Sequence, residues 1–160
     1  MDIKHFFITV LSGIVATVVM TIIMYMYTTL FKHFTKVIHL LGCMISGDHN
    51  LHSPSKRTII LGTLAHFSVG IIFSMSYYLL WNWGIFEINF FDSVIIGALS
   101  GIVAILVWKS YLQLHQYQPR ISQNHYFFAL FIAHIIFGIV SVNIFQMITD
   151  SPDLWYELNK

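Results

Sequence analysis

Four apolar stretches, 6–31, 58–81, 93–112 and 126–148, are each long enough to cross a bilayer. About 30 Å of hydrocarbon takes roughly 20 residues at the helical rise. None of the four contains Asp, Glu or Arg, and Lys109 stands at the edge of the third, where its stem reaches the interface. The sequence therefore predicts an all-α fold, an integral membrane four-helix bundle in one transmembrane domain over residues 1–160. Composition agrees. Apolar residues make up 57% of the chain and charged residues only 9%, whereas a soluble domain carries about 25% charge and needs it to cover a wetted surface.

The same numbers exclude several classes of function. A net charge of +1 with no basic stripe leaves nothing to neutralise phosphates, so nucleic acid is not an expected partner. Cys43 is the single cysteine, which rules out an internal disulfide, a redox dithiol and a cysteine-based zinc site within one chain. The first apolar run is too long for a secretory h-region and no small-residue cleavage pattern follows it, so it reads as retained. Gly-x-Ser-x-Gly, His-Glu-x-x-His, a glycine-rich phosphate loop and paired intramembrane carboxylates are all missing, and the chain reads as something other than an enzyme.

Local chemistry sets the ends of the runs. Ser53-Pro54 offers a cap and a first-turn proline to the second helix, and Asp92 a cap to the third. Ser122 and Asn124 precede the fourth, which stops before Asp150. Aromatic residues mark two levels, with Trp81, Trp83, Trp155 and Tyr156 at one and Trp108, Tyr111, Tyr117 and Tyr126 at the other. Lys32, Lys36, Lys56 and Arg57 lie in the first loop, and Lys109 and Arg120 flank the third. The second loop has no lysine or arginine. Loops 1 and 3 are therefore expected in the cytoplasm and both termini outside, with Lys4 the dissenting charge.

The first loop, 32–57, is more than a linker. Lys32, Lys36, His39 and Cys43 recur at helical spacing, while Val37, Ile38, Leu40, Leu41, Met44 and Ile45 fill the other side. That pattern suits an interfacial amphipathic helix or a bent extension of the first helix, ended by Gly42 and Gly47. Asp48, His49 and His52 follow it. As a solvated turn they need no ligand, and as one carboxylate and two imidazoles they are the weaker of two metal-site candidates.

Two segments repeat. Leu11-Ser12-Gly13-Ile14-Val15-Ala16 recurs letter for letter as Leu99-Ser100-Gly101-Ile102-Val103-Ala104, and Ala65-His66-x-x-x-Gly70-Ile71 recurs as Ala133-His134-x-x-x-Gly138-Ile139. The offsets are 88 and 68 residues, so the first copy carries 20 extra residues between its helices. The expectation is two parallel helical-hairpin repeats related by an axis along the membrane normal. Small residues at four-residue spacing mark the faces where helices approach: Gly13, Thr17 and Thr21; His66, Gly70 and Ser74; Gly97, Gly101 and Ala104, with Gly138 on the fourth helix. Such faces serve a single bundle or a homo-oligomer equally, beside the lipid bilayer itself as partner.

Of nine histidines, only His66 and His134 lie deep in the runs, each about 13 Å from the run's start at the helical rise. An intramembrane ionisable residue usually faces the protein interior and marks a functional site. Each could instead be packing glue, donating a hydrogen bond to a neighbour such as Thr63, Ser100 or Ser12. If the pair is functional, it forms the polar centre of an accessory or small-ligand-binding module. The alternatives are a proton-sensitive gate in a small channel or transporter, with Asn143 and Gln146 extending a polar path, or a site where His66 and His134 ligate a metal or a haem iron for electron transfer.

The Ala-His-x-x-x-Gly pattern of the second and fourth runs, with the small-residue face of the third, resembles small uncharacterised bacterial inner-membrane proteins of the YagU-like group. The resemblance implies a four-helix membrane fold and a bacterial inner membrane. It carries no catalytic role to any residue.

Overall fold

The computed structural model describes residues 2–114, 119 and 121–150. Tyr117, Arg120, Trp155, Tyr156 and the rest of the tail beyond Asp150 lie outside the described residues. Those described form helices α1 (Ile3–Phe31), α2 (Val37–Ser46), α3 (Lys56–Asn82), α4 (Phe90–Leu114) and α5 (Gln123–Thr149), with no strand among them. The long helices α1, α3, α4 and α5 are each apolar enough to cross a membrane.

Each long helix runs a little past its apolar run because polar residues, not the hydropathy edge, set the caps. Asp2 Oδ1 accepts from the His5 amide at 2.8 Å to start α1. Ser55, two residues beyond the expected Ser53, caps α3 by accepting from the Thr58 amide. Asn89 accepts from the Asp92 amide at 2.9 Å and so takes the role expected of Asp92, whose own Oδ2 accepts from the Glu87 amide. A side chain reaches amides two or three residues ahead, which puts the cap earlier than a charge in the first turn suggests.

The expected bent extension of α1 is a separate helix. Lys32 takes a left-handed φ of 58° and ends α1. Thr35 then turns back to bond Thr28 and the Met24 carbonyl. The resulting α2 packs against α3. Gly42 does not end it. A Cβ on Gly42 would overlap the Thr58 carbonyl and one on Gly62 the Ile38 carbonyl, so these glycines let the two backbones touch. Cys43, expected on the polar side, is buried, and burial pushes its thiol pKa up, with the Asp48 charge adding to the rise.

α1, α3 and α4 bury many small and polar residues and turn large aliphatic ones outward, whereas α5 also buries large apolar side chains such as Leu130, Phe137 and Phe145. On α1 the buried stripe includes Thr9, Ser12, Gly13, Ala16 and Thr17, while Val18 and Ile22 are exposed. Lipid already solvates a leucine as well as a protein interior does, so close packing and hydrogen bonds decide which face turns inward. The helices lie in the order α3, α1, α5, α4, with α1 against both α3 and α5, and α5 against α4. A Cβ on Gly70 would overlap Thr17 Oγ1 in the first seam, and one on Gly138 would overlap the Ser93 carbonyl in the last. The expected faces are thus the packing faces. The seams differ in register, however: Gly70 meets Thr17, whereas Gly138 meets Gly97, which the 88-residue offset equates with Thr9.

Serines join the middle helices. Ser74 Oγ of α3 donates to the Thr9 carbonyl of α1 at 2.8 Å and lies 3.1 Å from Ser12 Oγ and 3.2 Å from Ser141 Oγ of α5. At the other end of the fold, the Asp48 carboxylate organises the α2–α3 loop. It accepts from the Ser55 amide at 3.0 Å, the Asn50 amide at 2.9 Å and the Thr58 hydroxyl at 2.9 Å.

Gly138→Val forces a branched side chain into the α4–α5 seam and is expected to cost about 1–3 kcal/mol. The lipid-facing Val103→Leu is expected to change little. Unfolding midpoints in mixed detergent and SDS distinguish them, and equal midpoints would refute the seam. The Asp48 bonds, led by that from the Ser55 amide, hold its carboxyl pKa below the ordinary 3.8. A folded value below the unfolded one means the loop's stabilisation is complete above pH 3.8 and is lost as pH falls through the folded value. Hydrogen-exchange protection at the Asn50 and Ser55 amides, relative to intrinsic rates, is expected to fall in acid and to weaken at neutral pH in Asp48→Asn.

Candidate functional site

α3 and α4 have no extended backbone contact, although both flank the α1–α5 pair. The gap between them is a cavity of about 200 Å³. Thr17 and Met20 of α1 and Leu130 and Phe137 of α5 form its back, and Val37 and Leu41 of α2 close one end. Toward the opposite end Tyr77 crosses from α3 to α4. Ser100 Oγ gives its proton to the Ile96 carbonyl, so the Tyr77 hydroxyl donates to Ser100 Oγ at 2.5 Å. The remaining side opens between Val69 and Val107, which are 45% and 62% exposed on the lipid-facing surface.

His66 and His134 both line this cavity, from α3 and α5, at 6% and 5% exposure. The structure brings the expected pair together as lining of the same cavity. Ser93-to-Gly97 spacing on α4 lets α5 in closely enough to place His134: a Cβ on Gly97 would sit 2.7 Å from its carbonyl and one on Gly101 3.3 Å from its Cβ. Gly70, one turn from His66, does the same for α3 by admitting Thr17. Gly13, Gly97, Gly101 and Gly138 lie at helix contacts around the cavity, and Gly70 also lines it.

Hydrogen bonding settles the tautomer of each ring. His134 Nδ1 lies 2.8 Å from the Leu130 carbonyl, which only accepts, so Nδ1 carries the proton. The Thr21 hydroxyl gives its proton to the Thr17 carbonyl at 2.7 Å, so it accepts from His66 Nε2 at 3.1 Å, and that nitrogen carries the proton. What remains is His66 Nδ1 and His134 Nε2, two bare lone pairs. Neither has a partner among the described residues.

The partners that sequence reasoning put forward serve elsewhere. Thr63 bonds the Ile59 carbonyl, Ser12 the Thr9 carbonyl, and Ser100 joins Tyr77. Thr21 was visible as the third member of the Gly13 face, but the Leu130 carbonyl carries no sequence signal. Trp108, expected at the interface, lines the cavity, and Tyr126 stands edge-on to it at 5.3 Å, because Trp108 follows the buried Ala104 by one turn and Tyr126 precedes the buried Ala129 and Ala133 by one turn and two. Asn143 and Gln146 bond the Ile139 and Ile88 carbonyls and do not line the cavity.

The second candidate does not assemble. Asp48 spends its carboxylate on the loop, and His52 stands edge-on to Phe34 at 5.2 Å. Among the described residues no three of His, Cys, Asp and Glu, His49 included, gather as metal ligands. Two other histidines meet unforeseen: His33 and His125 stack at 3.5 Å, with the Tyr27 hydroxyl 2.9 Å from His125 Nδ1.

Comparison of the chain with protein-family models, with curated proteins and with solved structures found no match. The reading of the cavity therefore rests on its own chemistry. Tyr77→Phe removes the bond to Ser100 that joins α3 to α4 and is expected to lower stability by about 1 kcal/mol. Thr63→Val, whose hydroxyl bonds only within its own helix, is expected to leave the SDS unfolding midpoint in place.

Proposed function

We propose that the protein is a membrane-embedded module that binds a small hydrogen-bond donor, with His66 and His134 as the acceptors. The observation behind this reading is the pair of unpartnered imidazole nitrogens in an otherwise largely apolar cavity. Packing glue would have spent both nitrogens on protein partners. The protein instead leaves both rings lining one cavity that a small molecule can enter, and a bound donor gives the two nitrogens the partners they lack.

The geometry favours this over the alternatives. A proton-sensitive channel needs a polar path to each side, whereas the cavity lining is largely apolar, and Asn143 and Gln146 are turned to backbone. A haem between two axial imidazoles needs space at least equal to that of a drug-sized ligand, and 200 Å³ is below the roughly 300–1,000 Å³ of such sites. We place the protein in a bacterial inner membrane with loops 1 and 3 cytoplasmic, on the strength of Lys32, Lys36, Lys56 and Arg57 and the YagU-like resemblance. The shared Ala-His-x-x-x-Gly and Leu-Ser-Gly-Ile-Val-Ala segments support an origin by hairpin duplication, after which the seams diverged in register.

The double variant His66→Leu, His134→Leu tests the reading. Replacing unmet acceptors with apolar groups of similar size is expected to leave the ligand-free melting temperature unchanged or raised. Native mass spectrometry of wild type purified in mild detergent is expected to show a bound small molecule that the variant lacks. A variant that unfolds, beside a wild type that carries nothing, would make the histidines structural. A Soret band in wild type that vanishes in the variant would replace this reading with haem binding.

A further inference from the structure

The polar atoms, lining and opening of the cavity together narrow its ligand. Both free nitrogens are acceptors, and their partner nitrogens are committed to Thr21 and to the Leu130 carbonyl. A ligand presenting carbonyl or ether oxygens would set lone pair against lone pair, so the ligand must bring hydrogens, one for each imidazole. It must also be neutral. Among the described residues no Asp, Glu, Lys or Arg lines the cavity, and an unpaired charge at this depth is heavily penalised. The nearest lysine on α4, Lys109, instead lies over the Phe127 ring at 5.9 Å.

Shape adds a third limit. Phe73, Phe137, Trp108 and Tyr111 contribute aromatic surface on several sides, and Phe73 stands edge-on to the His134 ring at 5.5 Å. A flat ring fits such walls through edge-to-face contacts. A cavity of about 150 Å³ takes up benzene, so 200 Å³ admits one substituted ring and little more. Anything longer must leave through the side. The α3–α4 gap is flanked there by the exposed Val69 and Val107, while α2 covers one end and the Tyr77–Ser100 bond crosses the other.

We infer that the cavity takes a lipid-soluble hydroquinone, which enters sideways from the hydrocarbon between Val69 and Val107 and donates its two hydroxyls to His66 and His134. The inference rests on the binding reading above. It concerns recognition only: the reduced ring is held, with its tail left among the acyl chains, and the oxidised quinone, having carbonyls where the hydroxyls were, is discriminated against.

The test uses the full chain in nanodiscs and three probes: a decyl-substituted hydroquinone kept reduced under argon, the matching quinone, and decanol. Saturable co-elution above empty nanodiscs is measured for each. The hydroquinone is expected to bind at least tenfold more tightly than the quinone, and His66→Leu and His134→Leu are each expected to weaken it at least tenfold. Val107→Trp, on the lipid-facing surface and outside the seams, is expected to block uptake with helicity and melting temperature unchanged, which guards against loss through misfolding. Quinone binding as tight as hydroquinone binding overturns the donor requirement. Histidine-dependent decanol binding equal to that of the hydroquinone overturns the aromatic class and leaves the binding-module reading standing. Unchanged uptake by Val107→Trp overturns the lateral route. Histidine-independent binding, or none, for all three probes overturns both this inference and the module.

Discussion

The close approach of backbones at the glycine seams is the constraint from which the rest of the fold follows. In hydrocarbon, helices gain nothing from hiding leucine, and van der Waals contact between small-residue faces must hold them together. Gly70 admits Thr17, Gly138 admits Ser93 and Gly97, and Gly62 and Gly42 admit each other. These contacts draw α3 onto α1 and α5 onto α4, while α1 and α5 pair in the middle. With every tight seam spent on those pairs, α3 and α4 have none to share. They part, and the cavity lies where they do. The Tyr77–Ser100 bond is a polar link between them.

The same economy of small residues governs the polar groups. Hydroxyls are cheap to bury when they return a proton to a carbonyl one turn back, as Thr9, Thr17, Thr21 and Ser100 all do. Their oxygens then remain as acceptors for a second donor, which is how Thr21 fixes the His66 tautomer and Ser100 receives Tyr77. Imidazole has two nitrogens on opposite edges and one proton. Once a helix carbonyl or a spent threonine has claimed the protonated edge, the other is necessarily an acceptor aimed away from that contact. Which nitrogen of each ring is left as an acceptor is thus a consequence of helix backbone chemistry.

Outside the hydrocarbon the rules change. The α2–α3 loop is held by a carboxylate that collects amide and hydroxyl protons, with Leu51 buried against the core beside it. Asp48 therefore does structural work for the loop while His52 packs against Phe34, and the side chains that look like a metal cluster in a line of text do not gather as one. By joining α2 firmly to the start of α3, the loop also keeps Val37 and Leu41 over the end of the cavity.

The number, length and apolar character of the membrane helices, the small-residue faces and the depth of His66 and His134 were all legible in the sequence, because each depends on residue type and helical spacing within one segment. Capping was legible to within a few residues, since the reach of Ser55 or Asn89 depends on local turns. The tertiary structure decided what depends on two segments at once: that the histidines share a cavity, that α3 and α4 part, that Trp108 looks inward, and that Cys43 and Gly42 belong to a packed α2. It also decided which nitrogen of each imidazole is free, because a helix carbonyl such as that of Leu130 is present at every position and only its geometry gives it a role.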